Sequence, residues 1–158
     1  MAVMCWLRGV AALGLMSLGL MSLGMVLLPC AALGGTVLPD KVTARVVSVT
    51  DGDTFRAVVL VWPDIQVSVA VRISGIDAAE MRGKCRREKH QAVAARAALQ
   101  ALLPVASIVS LRAIRADKYQ GRINAEVMLA DGRDIAATLL QDGFARPYAG
   151  GRRQGWCP

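Results

Sequence analysis

Between Val42 and Leu129 the apolar positions follow two different periods. Val42 to Thr50 is a β-branched run that stops at Asp51-Gly52-Asp53, and Thr54 to Val61 resumes it, so Thr50 to Asp53 is predicted to be a hairpin turn. From Ile65 to Ser74 the chain alternates: Ile65, Val67, Val69, Val71 and Ile73 share one face, and Gln66, Ser68, Ala70, Arg72 and Ser74 the other. Trp62-Pro63-Asp64 reads as a second hairpin turn with an exposed or edge aromatic. The period then lengthens. Ala92, Ala95, Leu99 and Leu102 recur at spacings of three and four within Glu88 to Leu103, which predicts an amphipathic helix ended by Pro104. Ser107 to Ile114 and Arg122 to Leu129 predict two more strands, Asp131-Gly132 a turn, and Ile135 to Gln141 a short helix closed by Gly143.

The order is three strands, a helix, two strands and a helix, an α+β arrangement. Five short strands with an intervening helix suit a small closed β-barrel of the oligonucleotide-binding (OB) type, with two or three helices. A doubly wound parallel sheet would alternate strand and helix throughout. The 158 residues leave room for one such domain plus a tail. The barrel is assigned to residues 37–148. Residues 149–158, ending GGRRQGWCP, form a tail too short to fold alone, and a covalent tie through Cys157 is expected to order it.

The N-terminal segment obeys a different pattern. No charge occurs between Arg8 and Asp40, and the pentad LMSLG appears twice in succession, from Leu15 and from Leu20. One basic residue before an apolar run, with small residues after it, reads as a secretory signal over residues 1–36, and predicts export to a periplasmic or extracellular space. The run exceeds the usual h-region of about 7 to 15 residues and reaches the length of about 20 that spans a bilayer, so retention as a membrane anchor is a second form of the same expectation. Proline directly before Cys30 fits a lipoprotein cleavage site poorly.

Lys and Arg number 19 against 12 Asp and Glu, a net charge of +7. Removing residues 1–36 takes away only Arg8, so +6 stays with the exported domain and favours phosphate-bearing partners. The single histidine, His90, excludes a histidine-rich zinc site and leaves a Ser-His-Asp scheme one candidate base. Two cysteines remain after the leader, Cys85 and Cys157. A single bridge is the economical expectation in an oxidising compartment, with two unpaired thiols as the alternative.

Three acidic residues fall where loops leave strands: Asp53, Asp77 and Glu80. Carboxylates on separate loops can converge on a hard cation such as Ca²⁺, although a turn aspartate and a capping carboxylate explain each one singly. Arg72 and Arg122 change the picture. Their guanidinium forks match non-bridging phosphate oxygens and stay charged as a phosphoryl transition state gains charge.

At this point the residues resemble the thermonuclease, or staphylococcal-nuclease-like, proteins, which are secreted OB-fold phosphodiesterases dependent on Ca²⁺. The resemblance runs from about Val42 to Tyr148. It is carried by VTDGDTF from Val49, VRISGIDAAE from Val71, DKYQGR from Asp117 and DGRDIAATLLQDGFARPY from Asp131. It implies that Asp53 and Asp77 are direct Ca²⁺ ligands with the main-chain carbonyl of Ala78 as a third. It also implies that Glu80 positions or deprotonates the attacking water, and that Arg72 and Arg122 hold the scissile phosphate, Arg122 nearer the leaving 5′ oxygen. Lys118, Tyr119 and Tyr148 then belong to the substrate surface, the tyrosines by stacking on bases or bonding a phosphate.

The sequence departs from the family pattern in three places. Ala79 stands where a proline usually precedes the glutamate, and Ala78 where the family has threonine. DKYQGR is one residue longer than the usual DKYGR, so Arg122 keeps its place only if Gln120-Gly121 forms a bulge or a wider turn. Lys84, Arg86, Arg87 and Lys89 form a basic cluster that is either a solvated loop or a phosphate-backbone contact, and His90 is expected at the surface. The expected function is that of an exported, monomeric, Ca²⁺-dependent endonuclease acting on DNA or RNA. The alternative is a noncatalytic OB-fold module that binds nucleic acid or a protein in the cell envelope.

Overall fold

The β-branched runs of the first half of the domain wind into a barrel. The computed structural model describes residues 41–158, so the expected leader lies outside the described residues. In chain order the elements are β1 (Lys41–Asp51), β2 (Thr54–Trp62), β3 (Ile65–Ile73), β4 (Ile76–Ala78), α1 (Arg86–Leu102), β5 (Ile108–Ala116), β6 (Arg122–Met128), α2 (Ile135–Gln141) and β7 (Ala145–Pro147). Strands pair in the order β1-β2-β3-β6-β5, and β5 closes on β1. All contacts in the ring are antiparallel except β3 with β6, which run parallel and are joined through the α1 crossover. This is the predicted five-strand closed barrel with two helices among the described residues.

The core forms where the inward faces meet. Phe55, Val71, Ile73, Leu111 and Val127 from the strands are fully buried against Leu99 of α1 and Ile135 and Leu139 of α2. Ala92, Ala95 and Leu99 form the buried stripe of α1, while Leu102 is only partly buried at its edge. Asp134 caps α2, its carboxylate accepting the N–H of Ala136 at 2.7 Å. The inward face predicted for β3 holds only for Val69, Val71 and Ile73. Ile65 and Val67 are exposed, because the β2–β3 ribbon overhangs the barrel. A second, two-stranded sheet pairs β4 with β7. Three residues are too few to show a period in the sequence.

The turn between β1 and β2 is wedged under α1. A Cβ placed on Gly52 would lie 2.5 Å from Cβ of Ala95 and 2.9 Å from Cβ of Ala78, so only glycine lets the helix seat on the turn. That contact fixes Asp53.

Candidate active site

Asp53 leaves the first turn with its side chain buried. Its Oδ1 accepts from Thr54 Oγ1 at 2.8 Å, and its Oδ2 from Arg72 Nη1 at 2.5 Å and from the Ala78 N–H at 3.4 Å. Arg72 reaches it because Thr54 is paired with Arg72 across β2 and β3. The other end of the Arg72 fork donates to the Ile76 carbonyl at 3.1 Å, which ties the guanidinium to the start of β4. One strand position on, Asp77 is buried opposite Arg146 in the β4–β7 pair. The short sheet missed in the sequence therefore sets this carboxylate beside both Arg72, at 3.9 Å, and Arg146, at 3.4 Å. Glu80 is exposed beyond the end of β4.

The extra residue of DKYQGR is absorbed in a turn. Gly121 takes φ +74°, a left-handed conformation that glycine adopts without strain, and Arg122 N–H closes the turn on the Tyr119 carbonyl at 3.3 Å. Arg122 then opens β6 opposite Ala70 of β3. The irregularity in register lies instead in β5, between Arg112 and Arg115, where Ala113 has φ +47°. Asp117 clamps the turn from below: it accepts from Arg122 Nη2 at 3.0 Å, Asn124 Nδ2 at 3.0 Å and the Tyr119 N–H at 3.1 Å. Burial works against its charge, yet the Arg122 bond and the Tyr119 and Asn124 hydrogen bonds outweigh it and hold the carboxyl below the usual carboxylate range. Nε of Arg122 is buried with no hydrogen-bond partner among the described residues, and the guanidinium stacks on the Tyr119 ring at 4.4 Å.

These groups share one open cleft of about 1180 Å³, lined by Asp53, Arg72, Glu80, Lys118, Tyr119, Arg122 and Tyr148. Asp77 and Ala78 lie under its floor, both buried. Tyr148 is partly buried, 5.8 Å from the Arg72 guanidinium to its ring, and its hydroxyl donates to the Gly151 carbonyl at 2.7 Å. His90 and the cluster Lys84, Arg86, Arg87 and Lys89 are exposed elsewhere.

Residues 70–155 match the sequence model of the staphylococcal nuclease homologue family. The chain belongs to that family. No curated protein sequence matches it. Within the staphylococcal nuclease homologue domain the match takes in Arg72, Asp77, Glu80, Arg122 and the tail as far as Gly155, while Asp53 and Cys157 lie outside it.

The tail was legible only as tied, and it does more than that. Cys85 and Cys157 form the expected disulfide across 72 residues, with Cα atoms 6.0 Å apart. The bridge draws the segment before Cys157 onto the site. The Arg153 guanidinium lies among all three carboxylates: its Nε is 2.6 Å from Asp77 Oδ1, its Nη2 is 3.3 Å from Asp53 Oδ2, and its Nη1 pairs with Glu80. Trp156 Nε1 donates to Asp77 Oδ2 at 3.0 Å, and its ring stacks on Arg146 at 3.7 Å. Arg146, Arg153 and Trp156 are the residues that sequence reasoning missed. The available signal was that a bridge to Cys85, five residues past Glu80, must bring Arg153 within reach of that loop.

The family implies Ca²⁺, and the residues present fit it. Asp77 Oδ1 is buried and accepts no hydrogen bond among the described residues, because Arg153 Nε approaches it as an ion-pair partner outside hydrogen-bond alignment. The position is thus one that already draws a positive charge, which the guanidinium fills without satisfying the oxygen by a hydrogen bond. The donors are oxygens throughout, as a hard cation requires. A second cluster, Cys85, Glu88 and Cys157, brings ligand atoms within 4.8 Å of one another, but its sulfurs are spent in the disulfide and offer no thiolate.

Proposed function

We propose that this chain is an exported, Ca²⁺-dependent endonuclease that hydrolyses phosphodiester bonds of DNA or RNA by attack of water. The observation that supports it most is the convergence on one cleft of Asp53, Arg72, Glu80 and Arg122, with Asp77 beneath. Two arginines suit a polyanionic substrate. Three carboxylates repel one, and a module that only binds nucleic acid has no use for them.

In this reading Asp53 and Asp77, with the Ala78 carbonyl, hold the cation. Bound there, Ca²⁺ offsets the charge of the substrate phosphate and lowers the barrier to attack on phosphorus. Arg72 is already oriented by Asp53 and the Ile76 carbonyl, so its fork meets the phosphate with little reorganisation. Arg122 is held by Asp117 through Nη2, which leaves Nη1 to donate toward the leaving-oxygen side. Glu80, exposed at the rim, takes the proton of the attacking water or orients it. Arg153 must withdraw from the carboxylates for the cation to enter. Lys118, Tyr119 and Tyr148 extend the cationic and aromatic wall along which a strand can lie.

The export signal and the disulfide agree with each other, since such bridges persist in oxidising compartments. The test is hydrolysis of single-stranded DNA by residues 37–158 in Ca²⁺ and in chelator. Binding without hydrolysis in either condition would assign the chain to the noncatalytic alternative.

A further inference from the structure

The second hairpin is longer than the barrel that carries it. β1 pairs with β2 no further out than Ala44 with Val59, and β3 pairs with β6 only from Ala70 to Ile73. Beyond those points the ribbon from Leu60 to Ser68 has only itself to pair with among the described residues, and every residue in it is exposed. Trp62, Ile65 and Val67 share one face, and Leu60 lies on the other, opposite Gln66. Leu60, Val61, Trp62, Ile65 and Val67 are 62%, 59%, 69%, 55% and 46% exposed. Asp64 is the single charge between Arg56 and Arg72. A contiguous apolar projection of this kind, on a domain of net charge +6, is the mark of a surface that something covers.

The chain itself indicates what covers it. Because Ala44 lies opposite Val59, the residues that lead into it, Lys41 to Thr43, run past the root of the ribbon toward its tip. The described chain therefore enters the barrel at Lys41 on the ribbon's side, and the uncharged stretch that ends at Pro39 precedes that point in the sequence. Asp53 and Arg72, by contrast, sit at the opposite end of the hairpin, while Arg122 lies opposite Ala70 nearer its root. Thr54 and Arg72 close the far end of the same two strands, eight residues from Trp62, or about 26 Å at the rise of a strand. A tryptophan at the tip is the side chain that prefers the boundary between lipid headgroups and acyl chains.

We infer that the Leu60–Val67 ribbon is a membrane contact whose tip inserts into the headgroup and acyl-chain boundary of a phospholipid bilayer, with Asp53 and Arg72 held at the end of the hairpin away from the lipid. Asp64, at the turn, sits level with the headgroups, where ammonium groups can meet it. A retained leader makes the ribbon the second attachment of the same face. A cleaved leader leaves it as a reversible one. The inference does not depend on the nuclease reading.

Residues 37–158 contain the whole barrel, its core and the disulfide, so they can be tested without the leader. The probe is a vesicle of zwitterionic phosphatidylcholine at physiological salt, read by co-sedimentation and by tryptophan emission with and without brominated acyl chains. Binding is expected, with a blue shift and quenching that vanish in Trp62→Phe and so belong to Trp62 and not to Trp156. The pair Trp62→Ser and Ile65→Ser should weaken binding about tenfold or more while circular dichroism and thermal melting stay those of the parent, since both side chains are already in solvent. Binding only to anionic vesicles, lost on raising the salt, would overturn the inference in favour of simple charge attraction. So would a dimer in sedimentation velocity that the double substitution abolishes, with no affinity for lipid.

Discussion

The Nε of Arg153 lies 2.6 Å from Asp77 Oδ1, and the same guanidinium is paired with Asp53 and Glu80. One side chain of the tail thus stands where the proposed cation must go. Arg153→Ala should tighten Ca²⁺ binding by about fivefold, the equivalent of roughly 1 kcal/mol for partly exposed ion pairs. Calorimetric titration of Ca²⁺ into parent and variant measures it. Equal or weaker affinity in the variant would mean that Arg153 does not compete with the cation.

The disulfide holds that guanidinium in place. Breaking it with Cys85→Ser and Cys157→Ser should lower stability by up to about 4 kcal/mol for a loop of this length. It should also raise Ca²⁺ affinity as Arg153→Ala does. Chemical denaturation reads the first effect and titration the second. Intact mass without reductant should show no free thiol in the parent.

Asp117 governs Arg122 rather than the phosphate itself. Its folded pKa is lowered from 3.8, so its contribution to stability is present in full above the unfolded value and is lost as pH falls through the folded one. The stability difference between the parent and Asp117→Asn should be constant near neutrality and shrink below about pH 4. Turnover should fall in the same variant. Arg122→Lys should cost about 10² to 10³ in turnover with oligonucleotide affinity largely kept, because an ammonium cannot reproduce the fork. A loss of affinity alone, with turnover intact, would make Arg122 an ordinary phosphate contact.

Gly52→Ala is expected to destabilise by about 1 to 3 kcal/mol, since its Cβ would meet Ala95 and Ala78 at the interface of α1 with the first turn. The displacement passes directly to Asp53. Thermal melting and Ca²⁺ titration should both register it, and a variant with parental values in both would show that the helix can shift at no cost.

The barrel was legible because its five strands and two helices each carry a full period of apolar side chains. Asp53, Arg72, Asp77, Glu80 and Arg122 were legible because they stand in short runs with a recognisable pattern. The β4–β7 sheet was not, since Ile76 to Ala78 and Ala145 to Pro147 are too short for periodicity and become a sheet only when the chain brings them together. The position of Arg153 depends on a covalent bond 72 residues long in sequence, which no local pattern encodes. The exposure of Ile65 and Val67 reflects where the neighbouring strands end, a property of β1 and β6 and not of β3.

In the proposed reaction the carboxylates hold a cation and the arginines then work on a phosphate. The most direct test is the rate of single-stranded DNA cleavage by residues 37–158, and by Asp53→Ala and Asp77→Ala, across a Ca²⁺ titration with EGTA as the zero point. No cleavage is expected in EGTA, with restoration by Ca²⁺ and a shift of both variants to a higher Ca²⁺ requirement or to inactivity. Cleavage at the full rate in EGTA, or Ca²⁺ dependence unchanged in both variants, would contradict that reaction.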